Sequence, residues 1–147
     1  MDEIDLAIVE SLKKDARTSF REIARKLGVS TDTISNRYRK MRKDGVIQGS
    51  TVVVNPEKIG YNSVIVLMID AEPEYSSAIQ NKLIQMVDVI LVTKTIGDCD
   101  LMAICVVRDY EHIYDLTLKV AEVPHVKDVQ VCFCLGDIRI RPEYFII

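Results

Sequence analysis

The sequence lacks the residue patterns on which most metal centres and enzyme active sites are built. Its four cysteines form no C-x-x-C pair, the spacing typical of zinc sites and redox-active thiols. Its two histidines, His112 and His125, lie near acidic residues rather than near a candidate nucleophile. It has no glycine-rich phosphate-binding loop and no pair of carboxylates in a catalytic arrangement. These absences indicate a protein that is not an enzyme and has no metal or other cofactor.

Long apolar runs are also missing. No segment approaches the length of about 20 residues that a membrane-spanning helix needs. Asp2 and Glu3 follow the first methionine directly, whereas a secretory signal peptide begins with basic and then apolar residues. We therefore expect a cytoplasmic protein without a membrane partner.

The cysteines are Cys99, Cys105, Cys132 and Cys134. We interpret them as small, buried apolar residues, which is how free cysteine usually behaves. The C-x-C spacing of Cys132 and Cys134 places both thiols on one face of a strand, so a metal or redox site is the alternative.

Charge is distributed unevenly along the chain, whose formal net charge is −3. Residues 1–50 carry 11 basic and 8 acidic side chains, whereas residues 51–147 carry 8 basic and 14 acidic ones. Between Arg17 and Lys43 there are nine Lys and Arg residues against two acids, Glu22 and Asp32. A basic segment on an otherwise acidic protein is typical of contact with the phosphate backbone of nucleic acid.

This basic segment has the pattern of two short helices joined by a tight turn. Ser19 and Glu22 have the spacing of a capping box at the start of the first helix. Gly28 can leave that helix at positive φ, Ser30 caps the second helix, and Gly45 ends it. Apolar residues recur at helical spacing in both, which predicts a helix-turn-helix. They are Phe20, Ile23, Ala24 and Leu27, followed by Ile34, Tyr38 and Met41.

The segments on either side extend this reading. Ile4, Ile8 and Leu12 recur four residues apart, so a helix over about residues 3–14 is predicted, capped by Asp2. Residues 46–54 are rich in β-branched side chains and end at Asn-Pro, which predicts a strand. Such a strand serves either as a wing or as a link to the next domain, and we favour the link.

The outer face of the second helix has the arrangement of a DNA-reading helix. Short polar side chains occupy its first turns and cations its later turns, so the former can meet base edges and the latter phosphates. A charged face that is merely solvated is the alternative, but the excess of cations beside a capped turn favours DNA. The predicted DNA-binding residues are Ser30, Thr31, Asp32, Thr33, Ser35, Asn36, Arg37, Arg39, Lys40 and Lys43.

The second half of the chain has the pattern of a βαββαβ unit. Strands are predicted over residues 63–71, 87–96, 101–108 and 126–135, with one helix over 73–86 and another between Asp109 and Pro124. Residues 137–141 could add a further strand. This order gives an antiparallel sheet with two helices on one face, and hence an α+β protein. The β-branched strands and the apolar tail, residues 144–147, present more apolar surface than a small domain can cover alone, which predicts a dimer through this half.

The chain resembles the Lrp/AsnC group, the feast/famine transcriptional regulators of bacteria and archaea, over essentially its whole length. The residues that carry the resemblance are Ile4-Asp5, Ile23-Ala24, Leu27-Gly28-Val29-Ser30, Arg37, Gly45-Val46-Ile47 and Gly97-Asp98-Cys99-Asp100. Similar proteins often have Thr and an aromatic residue where this chain has Ile96 and Cys99, and a basic residue in place of Asn36. These departures leave open which effector and which DNA sequence are recognised.

The resemblance implies a (winged) helix-turn-helix over residues 1–47, a strand and linker over 48–61, and a ferredoxin-like, ACT-like (RAM) domain for effector binding and oligomerisation over 62–147. It implies a transcriptional regulator that binds double-stranded DNA, forms homodimers that assemble into tetramers or octamers, and responds to an amino acid. The implied effector-binding residues are Gly97, Asp98, Cys99 and Asp100.

The turn from Gly97 to Asp100 offers partners for both charged groups of a free amino acid. Asp98 or Asp100 could meet its ammonium group, and backbone N–H groups near Gly97 its carboxylate. A hairpin turn that uses glycine and aspartate for geometry alone is the alternative. Two other functions stay open: an architectural DNA-binding protein or constitutive repressor without an effector, and a thiol or metal sensor or metabolic ACT-type module.

Overall fold

A computed structural model describes residues 1–136, which divide into two compact units between Val53 and Val54. Each unit is described by itself. Within the described residues, every helix is too short or too polar to span a membrane.

The N-terminal unit contains three helices: α1 (Glu3–Lys14), α2 (Phe20–Leu27) and α3 (Thr31–Lys43). One small core joins them, and Ile8, Ile23 and Ile34, one from each helix, are fully buried there. Tyr38 is half-buried, with its ring 5.0 Å from that of Phe20. The predicted helices and their apolar stripes are confirmed.

Local capping sets the ends of these helices. The Ser19 hydroxyl accepts the Glu22 N–H, and the Ser30 hydroxyl accepts the Thr33 N–H. Gly28 is left-handed, with φ of +67°, which turns the chain out of α2 at a conformation that costs glycine little. The capping box predicted at α2 is only half made, because the Glu22 carboxylate pairs with Lys26 at 2.9 Å.

A complete capping box lies at α1 instead, and it is tied to α3. Asp2 and Asp5 each accept the other's backbone N–H. The Arg37 guanidinium donates to both carboxylates, at 2.5 Å to Asp2 and 2.9 Å to Asp5. Arg37 therefore holds the start of α1 against the middle of α3.

The prediction of a strand over residues 46–54 is wrong for the part of the chain that the structure describes. Residues 48–55 form neither helix nor strand, and a 3-10 turn follows at Pro56–Ile59. A strand exists through hydrogen bonds to a neighbouring strand, and within residues 1–136 this segment has no such neighbour. Its side chains Val52, Val53 and Val54 are exposed.

The C-terminal unit confirms the βαββαβ order. Its elements are β1 (Ser63–Ala71), a 3-10 turn (Pro73–Tyr75) that leads into α4 (Ser76–Leu83), β2 (Val89–Lys94), β3 (Leu101–Val107), α5 (Tyr110–Ala121) and β4 (Val126–Phe133). The sheet order is β2-β3-β1-β4, with every neighbouring pair antiparallel. The predicted strand over residues 87–96 is shorter, because its pairing with β3 extends only from Val89 to Lys94. The strand expected over residues 137–141 lies outside the described residues.

Both helices pack on one face of the sheet. Alternate residues of β1 and β3 point into this core and are joined there by α4 and α5. The fully or almost fully buried side chains include Ile65, Leu67, Ile69, Leu101, Ala103 and Cys105 from the strands, and Ile79, Leu83, Leu116 and Val120 from the helices.

The opposite face of the sheet, here called the open face, is also apolar. The strand register places on its central part Leu91 of β2, Met102, Ile104 and Val106 of β3, Val64, Val66 and Met68 of β1, and Cys132 of β4. Its polar residues are Thr93, Asp70, Asp128 and Gln130. An antiparallel sheet with one solvated face normally alternates apolar and polar residues. The open face departs from that alternation, so it has the composition of a surface that is covered.

The Arg37 contact generates a prediction about acid stability. Arg37 lowers the pKa of Asp2, chiefly through its hydrogen bond, and it also lowers the pKa of Asp5, where the Asp2 N–H contributes most. A carboxyl group whose pKa is lower in the folded state than in the unfolded state stabilises the fold at pH values above its ordinary pKa, which is 3.8 here. This stabilisation is lost as the pH falls through the pKa of the folded state. The Arg37→Gln protein should therefore have a smaller free energy of unfolding than wild type at neutral pH, and this difference should narrow below about pH 4.

Urea unfolding followed by circular dichroism across this pH range measures the difference. The matched control is Arg39→Gln, two residues along the same helix but exposed. If Arg37→Gln lowers the free energy of unfolding as much at pH 3 as at pH 7, the ion pairs are not the cause of the loss.

Candidate nucleic-acid interface and effector turn

The outer face of α3 is exposed as predicted. It lies opposite Ile34 and Met41, which are buried in the N-terminal core. Its exposed residues are Asp32, Asn36, Arg39, Lys40 and Lys43. Three cations, Arg39, Lys40 and Lys43, therefore stand free of the core, where a phosphate backbone could approach them.

The start of α3 is held by its own cap. Ser30 and Thr31 are exposed, and Thr33 and Ser35 are half-buried. The Thr33 hydroxyl lies 2.8 Å from that of Ser30, so it belongs to the cap as much as to the outer face. The backbone N–H groups of such a first turn favour a nearby anion.

Arg37 has a different position from the other predicted DNA-binding residues. Its guanidinium is directed to Asp2 and Asp5 on α1, which raises the pKa of Arg37. Arg42 is likewise engaged, through a hydrogen bond of 3.1 Å to the carbonyl of Ile47. The charge pattern of α3 therefore combines cations that hold the unit together with cations that are exposed.

Helix α2 also carries exposed cations, although none of the predicted DNA-binding residues lies on it. Arg21 and Arg25 lie four residues apart on this helix, and both are exposed. They belong to the same excess of cations that singled out α3, and their helical spacing was the signal that could have identified them.

Gly97 to Asp100 are the last four residues of the connection between β2 and β3, which begins at Thr95. Gly97 is exposed, with φ of +146°, a conformation that favours glycine. Asp98 is exposed, whereas Cys99 and Asp100 are half-buried. The structure therefore brings the predicted effector residues together in one exposed turn.

Asp100 fixes this turn to the sheet. Its carboxylate accepts the N–H of Ala71 at 2.8 Å, and its own N–H donates to the carbonyl of Ile69 at 3.1 Å. The Thr95 hydroxyl donates to the carbonyl of Cys99 at 2.7 Å. Since the Asp100 carboxylate already has a partner, Asp98 is the exposed carboxylate of this turn.

The cysteines differ in exposure, contrary to the expectation that all four are buried. Only Cys105 is buried, Cys99 and Cys134 are half-buried, and Cys132 is exposed, because alternate residues of β4 face away from the core. Burial, with a smaller effect from Asp88, raises the pKa of Cys105 to about 12, so its thiol is inert. The described residues contain no group of three His, Cys, Asp or Glu side chains placed to hold a metal ion.

Comparison with known proteins assigns both units to one family. Residues 1–42 match the model of the AsnC-type helix-turn-helix domain, and residues 64–144 match that of the Lrp/AsnC ligand binding domain. The HTH-type transcriptional regulator LrpA of Pyrococcus horikoshii is 38% identical over 116 residues, which are 79% of this chain and 82% of LrpA. The prediction of a regulator that is not an enzyme is confirmed.

Solved structures share the fold. Escherichia coli AsnC has a TM-score of 0.84 at 24% identity, covering 97% of this chain and 99% of AsnC. A transcriptional regulator from Neisseria meningitidis, in complex with L-methionine, has a TM-score of 0.83 at 16% identity, covering 95% of this chain and 93% of that protein. The chain belongs to the Lrp/AsnC family of transcriptional regulators, with a helix-turn-helix DNA-binding domain followed by a ligand-binding domain.

Proposed function

We propose that this regulator reads a specific DNA sequence with α3, acts as a homodimer joined through the open face, and responds to an amino acid bound at the turn from Gly97 to Asp100. The observation that carries the proposal is the exposed polar and cationic face of α3 on a capped helix-turn-helix. An effector-independent architectural protein would share that face but would keep its DNA affinity in the presence of every amino acid.

The DNA-binding residues divide into two groups. Asn36 is an exposed amide, which can donate to and accept from a base edge. Lys40 and Lys43 are exposed cations nearer the end of α3, suited to phosphates, and Arg21 and Arg25 on α2 extend this surface. Arg37 is a positioning residue, because it orients α3 on α1 through Asp2 and Asp5.

The proposed dimer follows from the open face. A monomer would leave its apolar side chains, among them Val66, Met68 and Ile104, in water, although they are continuous across the sheet. A patch of this kind marks a protein interface. A second copy of the same sheet offers a surface of matching composition, and two-fold dimers are the commonest assembly of soluble proteins.

The proposed effector site uses Asp98 for the ammonium group of an amino acid and the backbone around Gly97 for its carboxylate. Asp100 acts as a positioning residue, since it holds the turn on Ala71. The Neisseria meningitidis regulator of similar fold binds L-methionine, and this supports an amino acid as the ligand class. Cys99 is smaller than an aromatic residue and leaves room for a longer side chain.

A thiol sensor is the second candidate, and the exposed Cys132 is the observation that favours it. DNA affinity that changes on mild oxidation in wild type, and not in Cys132→Ser, would support this function. An unchanged affinity in both proteins would remove it.

The first prediction separates phosphate contacts from base contacts. Lys43→Ala should weaken binding to specific and random DNA alike and reduce the slope of log K against log salt by about one unit. Asn36→Ala should instead change which operator is preferred, because it removes a base-reading group. Fluorescence anisotropy at several salt concentrations measures both, with Lys58→Ala, an exposed lysine outside the helix-turn-helix, as control. Equal losses on both DNAs for both variants would contradict the assignment.

The second prediction concerns assembly. Ile104→Asp places a charge on the open face and should convert the protein to a folded monomer, because an unpaired buried charge is strongly unfavourable at an interface. Leu118→Asp, at an exposed position of α5 on the other side of the sheet, should leave the assembly unchanged. Sedimentation equilibrium at micromolar concentration gives the masses. A wild-type monomer, or an Ile104→Asp protein with the wild-type mass, would refute the proposed interface.

The third prediction concerns the effector. After calorimetry with each common amino acid identifies a ligand, Asp98→Asn should weaken it by at least about tenfold, since the ammonium group loses its charged partner. Asp115→Asn, an exposed acid on α5, is the matched control. Unchanged affinity in Asp98→Asn and Gly97→Ala, with folding intact, would assign the turn a purely structural role.

A further inference from the structure

The open face carries a group of sulfur-bearing side chains that neither the DNA-binding surface nor the effector turn uses. Met68 lies on β1, Met102 on β3 and Cys132 on β4, and Cys134 directly follows the end of β4. The Cys134 N–H donates to the carbonyl of Val64 at 3.3 Å, so the pairing with β1 continues beyond the strand's end. Because side chains two residues apart on a strand share a face, both thiols lie on the open face. The two cysteines and two methionines are here called the sulfur cluster.

The side chains of this cluster lean toward one another. The Cys132 sulfur lies 3.6 Å from the Met68 sulfur, although the strand register places Val66, not Met68, opposite Cys132. Diagonal neighbours on a sheet start about 7–8 Å apart, so this contact requires the two side chains to converge. Met102 is directly opposite Met68 on the next strand. The cluster therefore extends over three neighbouring strands.

A small ion can reach the cluster from solvent. Cys132 is exposed, and Cys134, Met68 and Met102 are half-buried. Strand β4 forms one edge of the sheet, so its two thiols are accessible from that side. Cys105, by contrast, is fully buried in the core on the other face. The thiols of the cluster are therefore available for chemistry that Cys105 cannot perform.

The types of ligand in the cluster select a class of metal ion. Thiolates and thioethers are soft ligands that prefer copper(I), whereas magnesium and calcium ions take oxygen ligands. A structural zinc ion takes four ligands from Cys, His and carboxylate side chains, and the described residues contain no group of three such side chains placed for it. Copper(I) needs fewer ligands, so two thiolates with a thioether beside them suffice.

A disulfide between Cys132 and Cys134 fits this backbone less well than a shared metal ion. Alternate residues of an extended strand have Cα atoms about 6.7 Å apart, which is the upper end of the separation that a disulfide accepts. A metal ion adds its own bond to each sulfur and so spans a longer gap. The extended backbone at Cys132 and Cys134 therefore favours a bridging ion.

We propose that the sulfur cluster binds copper(I), with Cys132 and Cys134 as thiolate ligands, the Met68 thioether as a third ligand, and Met102 packed beside it. On binding, each thiol releases its proton to solvent, and neither the metal nor the sulfur is oxidised or reduced. The site therefore differs from a thiol sensor, which responds to oxidation. It depends neither on the proposed dimer nor on the effector turn.

The experiment titrates the reduced full-length protein, without oxygen, with copper(I) held by the coloured chelator bicinchoninate, whose loss of colour measures transfer of copper to the protein. Wild type should take up about one ion per chain. Cys132→Ser and Cys134→Ser should each weaken binding at least about tenfold, since each removes a soft anionic ligand. Met68→Leu removes a neutral ligand at nearly constant volume and should weaken binding by a smaller factor. Cys99→Ser and Met86→Leu are the matched controls and should bind as wild type does.

A second measurement locates the ion. In protein labelled with 13C in its methionine methyl groups, silver(I), a soft ion of the same charge as copper(I), should shift the Met68 signal, assigned through Met68→Leu. The signals of Met41, in the N-terminal core, and Met86 should stay in place, and zinc should shift none of them. Circular dichroism checks that each variant is folded.

These measurements contain neither DNA nor an amino acid, so their outcome is independent of the proposed function. No uptake of copper(I) by wild type, uptake by Cys132→Ser and Cys134→Ser equal to that of wild type, or loss of uptake in Cys99→Ser would overturn the proposal. A Met68 signal that silver(I) does not move would also overturn it.

Discussion

Both faces of the four-stranded sheet are apolar, and the two helices of the ligand-binding domain cover one of them. The rest of the molecule is built around this constraint, because an apolar face that the domain's own helices do not cover is typical of a protein interface. In the proposed dimer, a second copy of the chain covers it. Such a dimer also presents two copies of α3, and a two-fold pair of reading helices matches operators with two-fold symmetry.

The helix-turn-helix unit has too little buried apolar surface rather than too much exposed apolar surface. Its core contains only one or two buried residues from each helix. Small domains bury too little surface to be held by apolar contacts alone. Arg37 adds a contact between α1 and α3 through Asp2 and Asp5. A count of cations along α3 therefore overstates the charge available to DNA. The exposed remainder, with Arg21 and Arg25 on α2, is the surface that a phosphate backbone can reach.

The sequence predicted features that are decided locally. Helix caps at Ser19, Gly28 and Ser30 are set by residues within one turn, and they lie where the pattern placed them. Features that depend on distant partners were predicted less well. The strand over residues 46–54 has the right composition but no neighbouring strand within residues 1–136. His125 adopts φ of +71°, held by a stack on the Tyr75 ring at 3.5 Å and by Glu72, and no local pattern signals it.

The same distinction applies to the effector turn. Its glycine and aspartates could be read from the sequence, but their roles could not, because Asp100 is taken by Ala71 across the sheet while Asp98 is exposed. A ligand shifts a conformational equilibrium only by its difference in affinity between two states. If a ligand binds at the proposed effector turn, that difference acts through the Asp100 contacts to Ile69 and Ala71 of β1, because these are the hydrogen bonds that hold the turn on the sheet.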